Sequence, residues 1–115
     1  MNRAASASPG GPPRHQLGLV DERGLIAARA ADVVLAAAEA RQLTRWVTFL
    51  KPLPDRLRDG DLRDLRAAAT RARAAFGPKD SIRDVLPADV TEPFVDAVDR
   101  LIRELNRHDW AAREA

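Results

Sequence analysis

TEPFVDAVDRLIRELNRHDWAARE, residues 91–114, is the stretch on which the fold turns. Thr91 has the side chain of an N-cap, and Pro93 falls in the first turn, where a missing N–H is harmless. Phe94, Ala97, Val98, Leu101 and Leu105 then recur at helical spacing on one face. On the other side Asp96 precedes Arg100 and Asp99 precedes Arg103, each four residues apart with the acid first. The pattern predicts an amphipathic helix over about 92–112. Such a helix needs an apolar surface to lie on, and the rest of the chain must provide it.

Working back from Thr91, Ser81 caps a short helical piece at 81–86 that Pro87 ends. Before it, Leu62, Leu65, Ala69, Ala72 and Phe76 follow one another at intervals of three and four, a narrow seam suited to close helix contact. That helix is expected over 61–76, with Asp61 and Asp64 favouring its N-terminal dipole and Gly77-Pro78 stopping it. Residues 55–60, DRLRDG, read as a polar connector with at most one helical turn. Residues 44–51, TRWVTFLK, apolar nearly all round, either continue the helix before them or start another after a kink, and end at Pro52 and Pro54. A long helix over 21–43 precedes them, capped by Asp21, with Gly24 weakening its first turn. Leu25, Ile26, Val33, Ala37 and Ala40 form its expected apolar face; Arg29, Asp32, Glu39 and Arg41 mark the wet one. Residues 1–18 are rich in Ala, Ser, Pro and Gly without periodicity, the composition of a flexible tail.

The fold class is therefore all-α, a small bundle of three main helices with two short ones, forming one domain over 19–115. Its 115 residues suffice for one modest core. Hydrophobic residues make up 45% and charged residues 31%, but the apolar share leans on Ala, with three Phe, two Trp and no Tyr. Each alanine buries little area, so stability is expected to be ordinary or marginal. A net charge of +2 is too small to demand a polyanionic partner, and Lys occurs only at Lys51 and Lys79. The absence of cysteine suits a reducing cytoplasm. No apolar run approaches the ~20 residues that span a bilayer, and the first residues lack the apolar core of a signal peptide.

Chemistry is sparse. His15 falls in the tail, and His108 follows Glu104 by one turn near the edge of the last helix's apolar face. A Glu and a His on one helix make half a di-metal site, but no other helix carries the matching half, so a Glu104–His108 pair is the expectation. Setting Asp55 at position 1 of a calcium loop puts Gly60 correctly at position 6. Leu57 then occupies position 3 and Arg66 position 12, where a carboxylate is required. No nucleophile–base set and no glycine-rich phosphate loop is visible. The sequence points away from an enzyme and to no cofactor.

Two functional expectations follow. The first is a cytoplasmic adaptor, regulator or subunit that binds protein through its helix faces, a second copy of itself in a homodimer included. Its interface candidates are Arg107, His108 and Trp110, because Trp110 falls on the polar side of its helix, together with Trp46. The second is a small DNA-binding regulator. Residues 66–86 loosely follow a helix-turn-helix pattern with Gly77 in the turn, and Arg63, Arg66, Arg71, Arg73 and Arg83 would supply phosphate contacts. Against it stand Pro78 after the turn and Asp80 and Asp84 on the second helix, which phosphate would repel.

Overall fold

The computed structural model describes residues 18–114. Within them the chain forms five α-helices and one 3₁₀ turn: α1 Gly18–Ala40, α2 Thr44–Leu50, α3 Leu53–Asp59, α4 Leu62–Ala74, the 3₁₀ turn Ile82–Asp84, and α5 Ala88–Glu114. The all-helical small bundle is the one the periodicity predicts. The expected tail, with His15, lies outside the described residues except for Gly18, which opens α1.

The 91–114 stretch does what its spacing demands. Phe94, Val98 and Leu101 are fully buried, and Ala97 and Leu105 nearly so. α5 is the axis of the bundle, packed against α1 on one side and α4 on the other. Both neighbours run antiparallel to it. Arg66 of α4 meets Asp109 and Arg73 meets Asp99, so α4 descends as α5 climbs. Likewise Leu19 shares a groove with His108 while Ile26 shares one with Ala97. α3 bridges α1 and α4, closing the core from the other side.

The start of α5 corrects the sequence reading. Thr91 is no N-cap: the helix begins at Ala88, and Thr91 is a fully buried residue within it. The Pro87 carbonyl accepts from the amides of Val90 and Thr91 at 3.0 and 3.1 Å, which fixes the first turn three residues early. The Thr91 hydroxyl lies 3.4 Å from the Pro87 carbonyl and 3.2 Å from Glu92 Oε2, so its proton has an acceptor despite burial. Pro93 thus sits inside the helix rather than in its first turn, leaving the Asp89 carbonyl without an i+4 amide.

Residues 21–51 make two helices, not one. α1 ends in a Schellman motif: the Gln42 amide donates to the Glu39 carbonyl at 3.0 Å and the Leu43 amide to the Ala38 carbonyl at 3.0 Å. Gln42 occupies the left-handed position at φ 57°, where glycine or asparagine is usual. Lacking either, the sequence offers no stop signal there. Asp21 lies inside the first turn of α1 instead of capping it, since the helix starts at Gly18.

The connector at 55–60 is also corrected. Residues 53–59 form α3, which buries Leu53, Pro54 and Leu57. The prolines that end α2 serve at the same time as a helix start, with Pro54 in the first turn of α3. Gly60 then turns the chain into α4 so tightly that an added Cβ would lie 2.5 Å from the Arg56 carbonyl oxygen and 2.9 Å from Asp64 Cβ. Asp61 caps α4 by accepting from the Asp64 amide at 2.9 Å, as the acidic run predicts. α4 stops at Ala74, two residues short of expectation. Three successive amides, of Ala75, Phe76 and Gly77, turn to carbonyls three residues back and tighten the end. The short helix at 81–86 is reduced to one 3₁₀ turn, held by a capping box in which the Ser81 amide donates to Asp84 Oδ2 at 3.2 Å and the Arg83 amide donates to Ser81 Oγ at 3.1 Å.

The largest correction concerns α1. Its buried stripe is Val20, Gly24, Ala27, Ala28, Ala31, Val34 and Ala38, nearly all small. Ile26 and Val33, expected on the apolar face with Leu25, Ala37 and Ala40, are exposed. Ala40 is exposed too, and Leu25 and Ala37 are half-buried. Small residues let helix axes approach closely, so α1 presses its alanines against its neighbours and turns Ile26 and Val33 outward.

Candidate functional site

The four interface candidates divide between two ends of the molecule. Trp46 is a core residue of α2, 8% exposed, with its ring edge-on to Phe49 at 5.5 Å. It lines a recess with Ala74 and Ala75, at the C-terminal end of α4. Arg107, His108 and Trp110 lie near the opposite end of α4, where Arg66 reaches Asp109. Trp110 is 63% exposed, the most exposed large apolar side chain of the described residues. His108 forms a ridge between two grooves. One, of about 190 Å³, runs between α4 and α5 past Leu62, Arg63 and Arg66. The other, of about 310 Å³, runs between α1 and α5 past Leu19, Arg107 and Ala111.

The expected Glu104–His108 pair is not formed. Glu104 faces Arg107 instead, at 4.0 Å, the limit of an ion pair. Among the described residues no three His, Asp or Glu side chains gather as metal ligands would. Of the two acid–base pairs expected along α5, Asp96–Arg100 forms at 3.3 Å. Asp99 turns away from Arg103 to meet Arg73 across the helix interface at 2.9 Å, because a neighbouring helix supplies a cation at shorter reach.

That choice bears on the DNA-binding reading. Arg66 is held by Asp109 and by the Asn106 side chain, Arg73 by Asp99, and Arg83 by Glu92. Arg71 lies over the Phe49 ring, and Arg63 makes no ion pair among the described residues. Three of the five proposed phosphate contacts are therefore spent on tying α4 and the 3₁₀ turn to α5. The second helix of the pattern, moreover, is a three-residue turn, too short to fill a major groove.

The Arg83–Glu92 contact is bidentate, Nε to Oε2 at 2.8 Å and Nη2 to Oε1 at 3.1 Å, with the guanidinium also 5.0 Å from the centroid of the Phe76 ring. The hydrogen bonds from Arg83 hold the Glu92 carboxyl below the usual carboxylate range, and the same bonds raise Arg83. A carboxyl depressed on folding contributes stability above its unfolded pKa, and loses it as pH falls through the folded one. An NMR titration of the Glu92 side chain should accordingly give a midpoint below the ordinary glutamate value of about 4.3. Arg83→Gln should return it toward that value, while Arg103→Gln leaves it unmoved.

A different surface escaped the sequence reading. Leu19, Ile26 and Val33 are 41%, 41% and 55% exposed, seven residues apart on the outer side of α1, and Ala40 continues the interval. Four residues after each, or three before the next, come Arg23, Ala30 and Ala37, all half-buried. The alternating three-four interval is that of a helix-pairing seam. It borders the α1–α5 groove, where Ile26 and Arg23 face Pro93, Asp96, Ala97 and Arg100 across about 240 Å³. On α5 the lining positions 93, 97, 100, 104, 107 and 111 keep the same interval. The signal was present in the sequence as the seven-residue ladder Leu19–Ile26–Val33 beside a separate alanine stripe.

No family model matches this chain, and no curated protein or solved structure is significantly similar to it. No described helix is long and apolar enough to cross a membrane.

Proposed function

We propose that this chain is a non-catalytic, cytoplasmic protein-interaction module whose docking face is the outer side of α1 together with the groove between α1 and α5. One observation carries the reading: α1 buries its small residues and exposes Leu19, Ile26 and Val33 at pairing intervals. Scattered exposed apolar residues are ordinary on protein surfaces, but a register of them along a groove is what a partner helix fits. The partner supplies an amphipathic helix with apolar residues at the same interval. Arg23, Asp96, Arg100, Glu104 and Arg107 along the groove would set its register through charge. A second copy carries such a helix in α1 itself, so self-association is the first case to examine.

The test is light scattering across a range of concentrations, combined with pull-down using the wild-type chain and an Ile26→Glu, Val33→Glu double variant. Burying two large aliphatic side chains contributes about 3 kcal/mol or more, roughly a hundredfold in Kd. The double variant should lose the dimer or the captured partner by that factor while keeping its helical circular dichroism. A strict monomer that captures nothing, or a double variant that binds as well as wild type, defeats the proposal.

A further inference from the structure

The far end of α4 carries a second recess of different build. Between α2 and the segment after α4, Arg45, Trp46, Phe49, Arg71 and Lys79 line a groove of about 380 Å³, with Asp80 also on its wall. It shares no residue with the α1–α5 groove. Its cations stand on three separate segments: Arg45 on α2, Arg71 on α4 and Lys79 in the loop that follows. Its aromatic floor consists of Trp46 and Phe49, packed edge to face at 73°.

The two guanidinium groups are organised by these rings. Arg71 sits 4.2 Å over the Phe49 centroid, and its Nε donates to the Phe49 carbonyl at 3.4 Å. Arg45 lies 5.3 Å from the Trp46 centroid. A ring face holds a guanidinium in place without neutralising it, so the remaining N–H donors stay available. Several other arginines are held by carboxylates instead. Arg58 is paired with Asp32, Arg66 with Asp109, Arg73 with Asp99, Arg83 with Glu92 and Arg100 with Asp96. Among the described residues no carboxylate pairs with Arg45, Arg71 or Lys79. In this groove two arginines set against ring faces, with no carboxylate paired to them, stand beside Lys79.

We propose that the groove binds an acidic peptide segment, with Arg45, Arg71 and Lys79 each taking a carboxylate. Three cations on three segments suit charges spread along an extended chain better than one compact tetrahedral anion. A nucleic acid is disfavoured because the guanidinium groups occupy the ring faces on which bases would stack. Asp80 on the wall repels any anion that enters and so tempers the affinity.

The experiment is fluorescence anisotropy of a labelled hexaglutamate peptide against the full chain at low salt. Hexaglutamine, inorganic phosphate and a single-stranded oligonucleotide serve as competitors. Hexaglutamate should bind, and binding should weaken as ionic strength rises to about 0.15 M and the screening length shortens. Arg71→Gln should weaken it about fivefold, the upper range for one exposed ion pair. Lys79→Gln, in a loop and touching neither ring, should weaken it about threefold with no effect on folding. Asp80→Asn should strengthen it about twofold, asparagine keeping the left-handed backbone that φ 54° requires. The idea is overturned by no binding at low salt, by Lys79→Gln binding like wild type, or by phosphate or the oligonucleotide competing as well as unlabelled hexaglutamate. Loss of the α1 docking face in the Ile26, Val33 variant should leave this binding intact, so either proposal can fail alone.

Discussion

Phe94→Ala is expected to lower the free energy of unfolding by about 3–5 kcal/mol. Phe94 is the largest of the fully buried side chains, 0% exposed, and its ring lies 6.0 Å from that of Phe76. It stands where α5 passes the end of α4, so its loss opens a cavity at the meeting of two segments. The ring beside the space is Phe76, itself buried and lying under the Arg83 guanidinium, and the cost of a cavity depends on how far such neighbours can collapse into it. A domain of this size has roughly 5–15 kcal/mol in all. Each kcal/mol is worth about 4–8 °C in Tm for such a chain. The thermal midpoint followed by far-ultraviolet circular dichroism should therefore fall by tens of degrees. Phe49→Ala, at a half-buried site on α2, should cost clearly less. A Phe94→Ala protein within about 1 kcal/mol of wild type in urea titration would mean that α5 is not anchored here.

What could be read from the sequence follows from how much each helix relies on its own pattern. α5 and α4 carry large apolar residues on one face and charges on the other, so period alone selects the buried side: Phe94, Val98, Leu101 and Leu105 on one, Leu65, Ala69 and Ala72 on the other. Three features were out of reach of that signal. The break after Ala40 depends on Gln42 accepting a left-handed conformation that its residue type does not announce. α3 hides in a stretch where Pro52 and Pro54 read as terminators and DRLRD as a polar link, yet Leu53 and Leu57 face inward with Pro54. The start of α5 was ambiguous because Thr91 and Pro93 form a plausible beginning, and only the carbonyl of Pro87 decides against them. The candidate surfaces were partly legible. Trp110 and His108 stood out by their position on the wheel, and the structure leaves both at the surface end of α5. The arginine-rich groove was not visible, since Arg45, Arg71 and Lys79 come together only when α2 folds back beside the end of α4.

The sharpest test of the fold is a pair of substitutions on α1 whose effects should be opposite to those the residue types suggest. Val33 is a large β-branched residue and Ala31 a small one, so hydropathy alone places Val33 inside. In the structure Val33 is 55% exposed and Ala31 0%. The wheel explains it: Ile26 and Ala31, five residues apart, point roughly 140° from each other. A helix that buries the Ala31 side must therefore turn out the side of Ile26 and Val33. Ala31→Leu adds three carbons where α1 is pressed against its neighbours, an overpacking worth about 1–3 kcal/mol of destabilisation. Val33→Glu places a charge in water on a helix surface, a change within about 0.5 kcal/mol. Urea denaturation of the two variants under conditions where the chain is monomeric decides between the faces. A destabilised Val33→Glu and an unaffected Ala31→Leu would show that α1 is rotated and that its valine and isoleucine belong to the core. The expected order would show instead that α1 packs the core with the Ala31 side and turns Ile26 and Val33 to the surface.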